Sequence, residues 1–208
     1  MSITGNSRTL RNLIVVPRRD LSLEFANTVA WRGSAPTESL HNLQDVLAWL
    51  ASAKALPGRA VAELGKWFDA HPADAAMVFG EAIETRETLY RLLHAAASGS
   101  APANEDLRRL NGALGEAAPR ANLDRAGRGF GWRIEARPSA AGILASVLWS
   151  AADILVGPDC ARVRQCANER CLWLFLDDSK NGTRRWCSMQ ACGNRAKAHR
   201  HYLRHKGK

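Results

Sequence analysis

No stretch of this sequence is long and apolar enough to predict a signal peptide or a membrane span. The longest uncharged stretch, Pro138–Ala152, ends at Asp153 and is shorter than the about 20 apolar residues that a transmembrane helix needs. The apolar run Leu13–Val16 is too short for the core of a signal peptide. We therefore expect a cytoplasmic protein with no membrane partner.

The sequence also lacks the short motifs that mark common catalytic sites. It has no phosphate-binding glycine loop, no nucleophile elbow and no HExxH motif. The acidic residues and histidines of the first 157 residues show no catalytic spacing. These absences favour a protein that is not an enzyme.

Cysteine is absent from the first 159 residues, and all 5 cysteines then follow within a short stretch. This clustering is unlike the framework of a secreted disulfide-rich protein. Positive charge is concentrated in the same part of the chain. The segment Arg162–Lys208 holds 12 Lys+Arg and 3 Asp+Glu, which accounts for the whole net charge of +9. A neutral body with a basic end indicates a module that binds an anion, most commonly nucleic acid.

The apolar periodicity predicts a mainly α fold. We expect a helical N-terminal domain with a short β-hairpin over residues 1–157. Residues 158–208, which hold the cysteines, are expected to form a small C-terminal module. Residues 1–19 are interpreted as an arm or an edge strand, and Thr37 or Ser39 as an N-cap. Helices are predicted over residues 20–33, 37–56, 57–72, 73–99, 102–117 and 139–157, with the hairpin over 121–140. The last of these helices is apolar on nearly all sides, so we expect it to be the buried centre of the body.

Four of the cysteines form two pairs with equal spacing. Four residues separate Cys166 from Cys171 and Cys187 from Cys192, and fifteen residues separate the pairs. This pattern fits one zinc ion held by four thiolates, a closed site that is structural and does not activate water. Four free cysteines or two disulfides are the alternative interpretation. Cys160 lies outside the pattern and is interpreted as a spare buried thiol.

The spacer between the cysteine pairs predicts a hairpin of its own. Residues 172–176 read as an apolar strand, Asn181–Gly182 as a turn, and Thr183–Trp186 as the returning segment. The histidines that follow are alternative zinc ligands: His199, His201 and His205.

A basic helix is predicted from a cap at Ser188 to the end of the sequence. Arg184 and Arg185 precede the third cysteine, and the helix carries Arg195, Lys197, Arg200 and Arg204. These six cations are the predicted nucleic-acid contacts, with DNA as the expected partner. A solvated charged face with a loose tail is the alternative.

The signature "CGNR" (Cys192–Arg195), preceded by "CANERCLWLFLDDSKNGTRRWCSM", resembles the CGNR zinc-finger family over roughly residues 164–205. By position, the resemblance implies that the four paired cysteines are the zinc ligands and that Gly193, Asn194 and Arg195 form the signature. The upstream "LEFANTV…ESLHNLQDVLAWL" is similar to the ABATE domain, which is described as a stress-induced transcription regulator of bacteria. Glu24 departs from the Asp that this family commonly has.

A polar patch of the body is the predicted site for a small-molecule or protein effector. Its members are Glu24, Asn27, Thr28, Trp31 and Arg32. Capping and buried hydrogen bonds within the fold are the alternative role. A homodimer is expected if the protein reads two half-sites.

Three functions follow as hypotheses. The first is a DNA-binding transcription regulator whose zinc finger presents a basic helix. The second is a zinc-stabilised protein–protein interaction module that binds no nucleic acid. The third is an enzyme or RNA-modifying factor with its site in the helical body.

Overall fold

The computed structural model describes residues 10–206, without the side chains of residues 10–12, 199–201 and 203–205. The fold is mainly α, as predicted. The helices are α1 (Leu21–Ala26), α2 (Leu43–Ser52), α3 (Gly58–Asp69), α4 (Pro72–Ser98), α5 (Asn104–Glu116), α6 (Ala140–Ile143), α7 (Ala145–Val156) and α8 (Asn194–Lys206). Among the described residues, no helix combines the length and the apolarity that crossing a membrane requires.

Three small antiparallel sheets accompany the helices. The strands are β1 (Leu10–Val15), β2 (Val29–Ala30), β3 (Thr37–Glu38), β4 (Asn122–Ala126), β5 (Gly129–Ala136), β6 (Val163–Gln165) and β7 (Leu174–Leu176). They form a sheet of order β1-β5-β4 and the pairs β2-β3 and β6-β7. The predicted hairpin is therefore β4–β5, and the predicted edge strand is β1.

The core of the body lies around α4 and α7. Leu89, Leu92 and Leu93 of α4 are fully buried, as is Leu148 of α7. The sequence predicted one buried central helix, but the chain forms α6 and α7, which meet at Leu144. The first seven residues of α7 are all buried, so this segment has the central position that its all-round apolarity predicted.

Two predicted helix boundaries are wrong. The first helix ends at Ala26 instead of continuing to residue 33, because the Asn27 side chain bonds the Leu174 carbonyl and the chain then enters β2. Neither Thr37 nor Ser39 caps α2. The cap is Asn42, whose Oδ1 accepts the N–H of Asp45 at 2.9 Å.

The predicted pairing partner of the apolar strand between the cysteine pairs, which is β7, is also wrong. β7 pairs with β6 and not with the segment Thr183–Trp186, which is not a strand. The turn at Asn181–Gly182 is present, with Gly182 at φ 61°. The sequence favoured the later segment because its turn signal is strong, whereas the three residues of β6 carry little pattern.

The β6–β7 hairpin is built into the core of the body. Val163, Leu174 and Leu176 belong to the same buried cluster as the apolar residues of α4 and α7. A second, smaller cluster contains the cysteines, with Phe175. The division at residues 157 and 158 stays a prediction, and the hairpin after it shares its core with the helices before it.

Candidate zinc centre and finger surface

The four paired cysteines converge on one point. Cys166 and Cys171 lie at the two ends of the loop between β6 and β7, and Cys187 follows the Asn181–Gly182 turn. Cys192 lies in the π-turn Met189–Gly193 that leads into α8. Their sulfur atoms all lie within 4.8 Å of one another.

The distances between these sulfurs fit a tetrahedral zinc site. A Zn–S bond of about 2.3 Å at tetrahedral angles places the sulfurs about 3.8 Å apart. The Cys171 and Cys187 sulfurs are 3.7 Å apart, and the Cys187 and Cys192 sulfurs are 3.8 Å apart. Three of the four thiols are buried, and Cys187 is half-buried. Four sulfur ligands leave no position for a reacting water, so zinc bound here is structural.

The thiols perturb one another strongly. A hydrogen bond with Cys187, together with backbone N–H groups, lowers the pKa of Cys166 to about 5 against the effect of burial. Burial and the neighbouring Cys166 charge raise the pKa of Cys171 to about 12. The hydrogen bond with Cys166, and then burial, raise the pKa of Cys187 as well. Only a cation at the centre favours four thiolates together, because it offsets their mutual repulsion.

Other groups fix the ligands from outside the cluster. The Asn168 side-chain amide donates to the Cys192 sulfur at 3.4 Å. The backbone N–H of Ala167 donates to the Arg185 carbonyl at 2.8 Å and so joins the two cysteine segments. The Arg184 guanidinium donates to the carbonyl of Trp186 at 2.9 Å and also to that of Cys187. Such contacts orient metal ligands and commonly affect metal affinity.

The geometry bears on the alternatives for the cysteines. All 5 cysteines are free thiols, so the described residues contain no disulfide. Cys160 is half-buried in a 3-10 turn after α7 and is not in the group of four. The alternative ligands His199, His201 and His205 have side chains outside the described residues.

The described cations of the finger lie on its surface. Arg184, Arg185, Arg195 and Lys197 are exposed. The two remaining predicted contacts, Arg200 and Arg204, are in α8, but their side chains lie outside the described residues. Ser188 accepts the N–H of Ala191 at 3.4 Å and caps the π-turn, so α8 itself begins six residues later than its predicted cap.

Two family patterns match the chain and together cover most of it. Residues 19–158 match ABATE, described as "Putative stress-induced transcription regulator", and residues 162–205 match the CGNR zinc finger. The chain belongs to the ABATE family. Its finger, with four cysteines gathered at one point, binds one zinc ion. No curated protein matches the chain significantly.

Two members of the predicted effector patch of the ABATE domain, Asn27 and Trp31, lie against the CGNR finger. The Asn27 amide donates to the Leu174 carbonyl at 2.8 Å and accepts the Leu174 N–H at 3.0 Å. Trp31 packs on the cysteine cluster, and the Arg195 guanidinium lies 4.5 Å from its ring centroid. These two patch residues thus take part in contacts between the two family segments, and an effector role for them stays a prediction.

The other members of the patch have different surroundings. Arg32 forms a two-point ion pair with Glu87 and lies over the Tyr90 ring at 4.1 Å. Thr28 is buried and donates to the Phe25 carbonyl. Glu24 is exposed and pairs with Arg18, and no recorded bond joins it to the other four.

Sequence reasoning missed several residues of this contact. Tyr90 donates to the Leu172 carbonyl at 3.0 Å and accepts from Gln165 at 3.2 Å. Gly33 lies so close to the finger that an added Cβ would be 1.7 Å from the Glu169 carbonyl oxygen. Tyr90 reads as one more aromatic on a long helix, and Gly33 reads as a helix stop, so no local signal identifies either.

Proposed function

We propose that this protein is a DNA-binding transcription regulator that contacts duplex DNA through the surface of its zinc finger. Zinc is structural in this proposal, held by Cys166, Cys171, Cys187 and Cys192. The proposed DNA contacts are Arg184, Arg185, Arg195, Lys197, Arg200 and Arg204.

The observation that carries the proposal is the lack of carboxylate partners for the exposed cations of the finger. Seven of them have no ion pair among the described residues: Arg170, Lys180, Arg184, Arg185, Arg195, Lys197 and Lys206. Most described arginines of the body have one, and these are Arg18, Arg19, Arg32, Arg86, Arg91, Arg108, Arg109, Arg120 and Arg133. Unneutralised cations on one surface support binding to a polyanion.

The zinc site gives this surface a fixed shape. α8 begins two residues after Cys192, so the metal anchors the start of the helix beside the loop of Arg184 and Arg185. Phosphate contacts of these cations supply affinity and orientation, and reading of a sequence needs one or two side chains at base edges.

The test is binding of the full chain to a labelled 20-base-pair duplex, by fluorescence anisotropy from about 50 to 200 mM salt. Each phosphate contact contributes about 0.9 to the negative slope of log affinity against log salt. The double variant Arg185→Gln/Lys197→Gln should lower that slope by nearly 2. Within the described part of the chain, neither side chain makes a hydrogen bond to the zinc loop.

The matched control removes the same charge from the body. Arg125 and Arg128 are exposed at the β4–β5 turn, and Arg125→Gln/Arg128→Gln should leave the slope unchanged. An equal decrease of the salt slope in the two double variants, or an affinity that does not change with salt concentration, would overturn the proposal. Capture of a protein partner that survives nuclease, with no duplex binding, would favour the protein-interaction hypothesis.

Regulation, oligomeric state and compartment extend this proposal. A small-molecule or protein effector of the ABATE domain, a homodimer and a cytoplasmic location remain predictions. A regulator of this kind needs no catalysis, and the closed sulfur site supports a role without it.

A further inference from the structure

A groove of about 760 Å³ lies along the seam between the ABATE domain and the finger. Trp31 and Ser34 line it from the body, and Trp186, Arg170 and Arg195 line it from the finger. The groove shares Arg195 with the proposed duplex contacts, but Trp31, Trp186 and Arg170 are not among those contacts. Cys192, one of the four cysteines of the zinc centre, also lines the groove.

The groove combines aromatic faces with positive charge. Trp31 and Trp186 are both half-buried. The Arg195 guanidinium is 4.5 Å from the Trp31 centroid, and that of Arg185 is 5.5 Å from the Trp186 centroid. Arg170 and Arg195 face a single acidic lining residue, Glu169, so the lining carries a net positive charge.

The indole N–H groups distinguish these two tryptophans from a third one nearby. Trp173 packs on the same cluster and donates its N–H to the Val29 carbonyl at 3.2 Å, as a structural tryptophan does. Trp31 and Trp186 have no acceptor for their indole N–H among the described residues, and neither group is buried. Each therefore offers an open N–H donor beside a ring over which a guanidinium already lies.

The backbone supports a specific role for Trp31. Its φ is 56°, in the left-handed region that bulky residues rarely adopt. The Gly33 N–H donates to the Arg170 carbonyl at 3.3 Å and helps to hold this turn against the finger. Strained residues held in this way cluster at binding sites.

We propose that this groove binds a nucleotide whose base is unpaired. The base stacks on the half-buried indole of Trp31 or Trp186, and the phosphate contacts Arg170 and Arg195. Bases within a duplex remain stacked on each other, so the groove selects a single strand or a flipped nucleotide. This inference rests on the proposed nucleic-acid function only where the nucleotide is part of a strand, because a free mononucleotide has the same chemistry.

The experiment compares three ligands on the zinc-loaded full chain. They are AMP, followed by tryptophan fluorescence, a labelled ten-residue oligothymidylate and the 20-base-pair duplex. Trp186→Leu removes the stacking face, whereas Trp186→Phe keeps an aromatic face. Trp67→Leu, at a half-buried tryptophan of α3, is the matched control, and zinc content is measured for every variant.

We expect Trp186→Leu to weaken oligothymidylate binding about tenfold or more. Trp186→Phe should retain most of the affinity, and Arg170→Gln should weaken single-strand binding and reduce its dependence on salt. Duplex affinity should change less than twofold in both Trp186 variants. The Trp67→Leu protein should behave as the wild type.

The outcomes separate this inference from the proposed function. If the oligothymidylate binds much more tightly than AMP, the groove is a site for a single strand. If AMP binds but neither the oligothymidylate nor the duplex does, the groove is a site for a free nucleotide and the DNA proposal fails. Duplex binding with no binding of AMP or oligothymidylate overturns the groove inference and leaves the DNA proposal intact. Equal loss of single-strand and duplex affinity in Trp186→Leu also overturns it.

Discussion

The side-chain amide of Asn27 bonds both the N–H and the C=O of Leu174, a residue 147 positions later in the sequence. Leu174 is 1% exposed, so these backbone groups have no access to water. A body residue thereby completes the outer edge of the finger hairpin. The contact ties the family segment that carries the zinc to the one that does not.

Removal of this amide should destabilise the whole chain. Asn27→Ala leaves two buried backbone groups of Leu174 unsatisfied, and we expect the free energy of unfolding to fall by about 2–3 kcal/mol. Urea unfolding followed by circular dichroism measures it. Asn122→Ala, at an exposed strand position, is the control and should cost less than about 0.5 kcal/mol. A similar small loss for Asn27→Ala would show that the two bonds contribute little.

The close approach at Gly33 gives a second prediction. A Cβ there would meet the Glu169 carbonyl oxygen at 1.7 Å, so Gly33→Ala must push the finger loop away from the body. We expect a loss of about 1–3 kcal/mol in stability. Zinc affinity, measured by competition with a chelator, should also fall because Glu169 lies between two zinc ligands.

Gly58→Ala is the matched control for that substitution. A Cβ on Gly58 has nothing within 4 Å, and the residue begins α3. Its unfolding free energy should stay the same or rise slightly, since alanine restricts the unfolded chain. If the two alanine variants unfold at the same urea concentration, the contact at Gly33 is looser than the structure indicates.

Loss of zinc should lower the stability of the helical body as well as that of the finger. Val163, Leu174 and Leu176 share the main core, so loosening of the hairpin exposes apolar surface of the body as well. We expect Cys171→Ser to remove zinc and lower the melting temperature of the body by about 4 °C or more, which corresponds to at least 1–2 kcal/mol. Elemental analysis gives the zinc content, and scanning calorimetry gives the transition.

Cys160→Ser is the control, since Cys160 is outside the group of four sulfurs. It should keep one zinc per chain and the wild-type transition. A Cys171→Ser protein that lacks zinc but melts at the wild-type temperature would mean that the hairpin stays in the core without the metal.

Much of this arrangement could be predicted from the sequence, and the limits have physical causes. The spacing of Cys166 and Cys171 from the later pair is a chemical signature, and the long apolar stripe of α4 is a periodic one. The Asn27–Leu174 contact has neither, because a side chain that bonds a backbone leaves no pattern at the distant residue. The same holds for β6, whose three residues take their conformation from β7 and not from local preference.

A buried ion pair in the ABATE domain predicts a pH dependence. Arg86 is 3% exposed and forms a two-point pair with Glu38 at 2.7 Å. Burial raises the pKa of Glu38, but hydrogen bonds from Arg86 and from the backbone N–H of Leu40 outweigh it, and the net pKa is lowered. The stabilisation is therefore present above the unfolded-state pKa, about 4.3, and is lost as the pH falls through the lower folded value.

Glu38→Gln should cost about 1–2 kcal/mol at pH 7, because it removes one of the two carboxylates that pair with the buried Arg86 guanidinium while Glu87 remains, and Glu38 itself is partly solvated. The difference in unfolding free energy between variant and wild type should narrow as the pH falls from about 5 to 3. Urea unfolding at each pH measures it, and zinc content is followed in parallel because acid also displaces zinc from thiolates. A difference that stays constant over this range would contradict the assigned ionisation of Glu38.

Arg184 and Arg185 are neighbours with different predicted roles. The Arg184 guanidinium donates to the carbonyls of Trp186 and Cys187 and lies 4.5 Å from the Phe175 ring centroid. It therefore holds the loop that carries the third zinc ligand. Among the described residues, the Arg185 side chain makes no hydrogen bond, and its guanidinium lies 5.5 Å from the Trp186 ring centroid. Arg184→Ala should therefore lower zinc affinity about 10–100-fold, as the loss of an outer contact to a metal ligand does. Arg185→Ala should leave zinc affinity unchanged while it weakens duplex binding, and chelator competition and anisotropy on the same protein preparations measure the two effects. Equal zinc affinities in the two variants would mean that Arg184 is only one more surface cation.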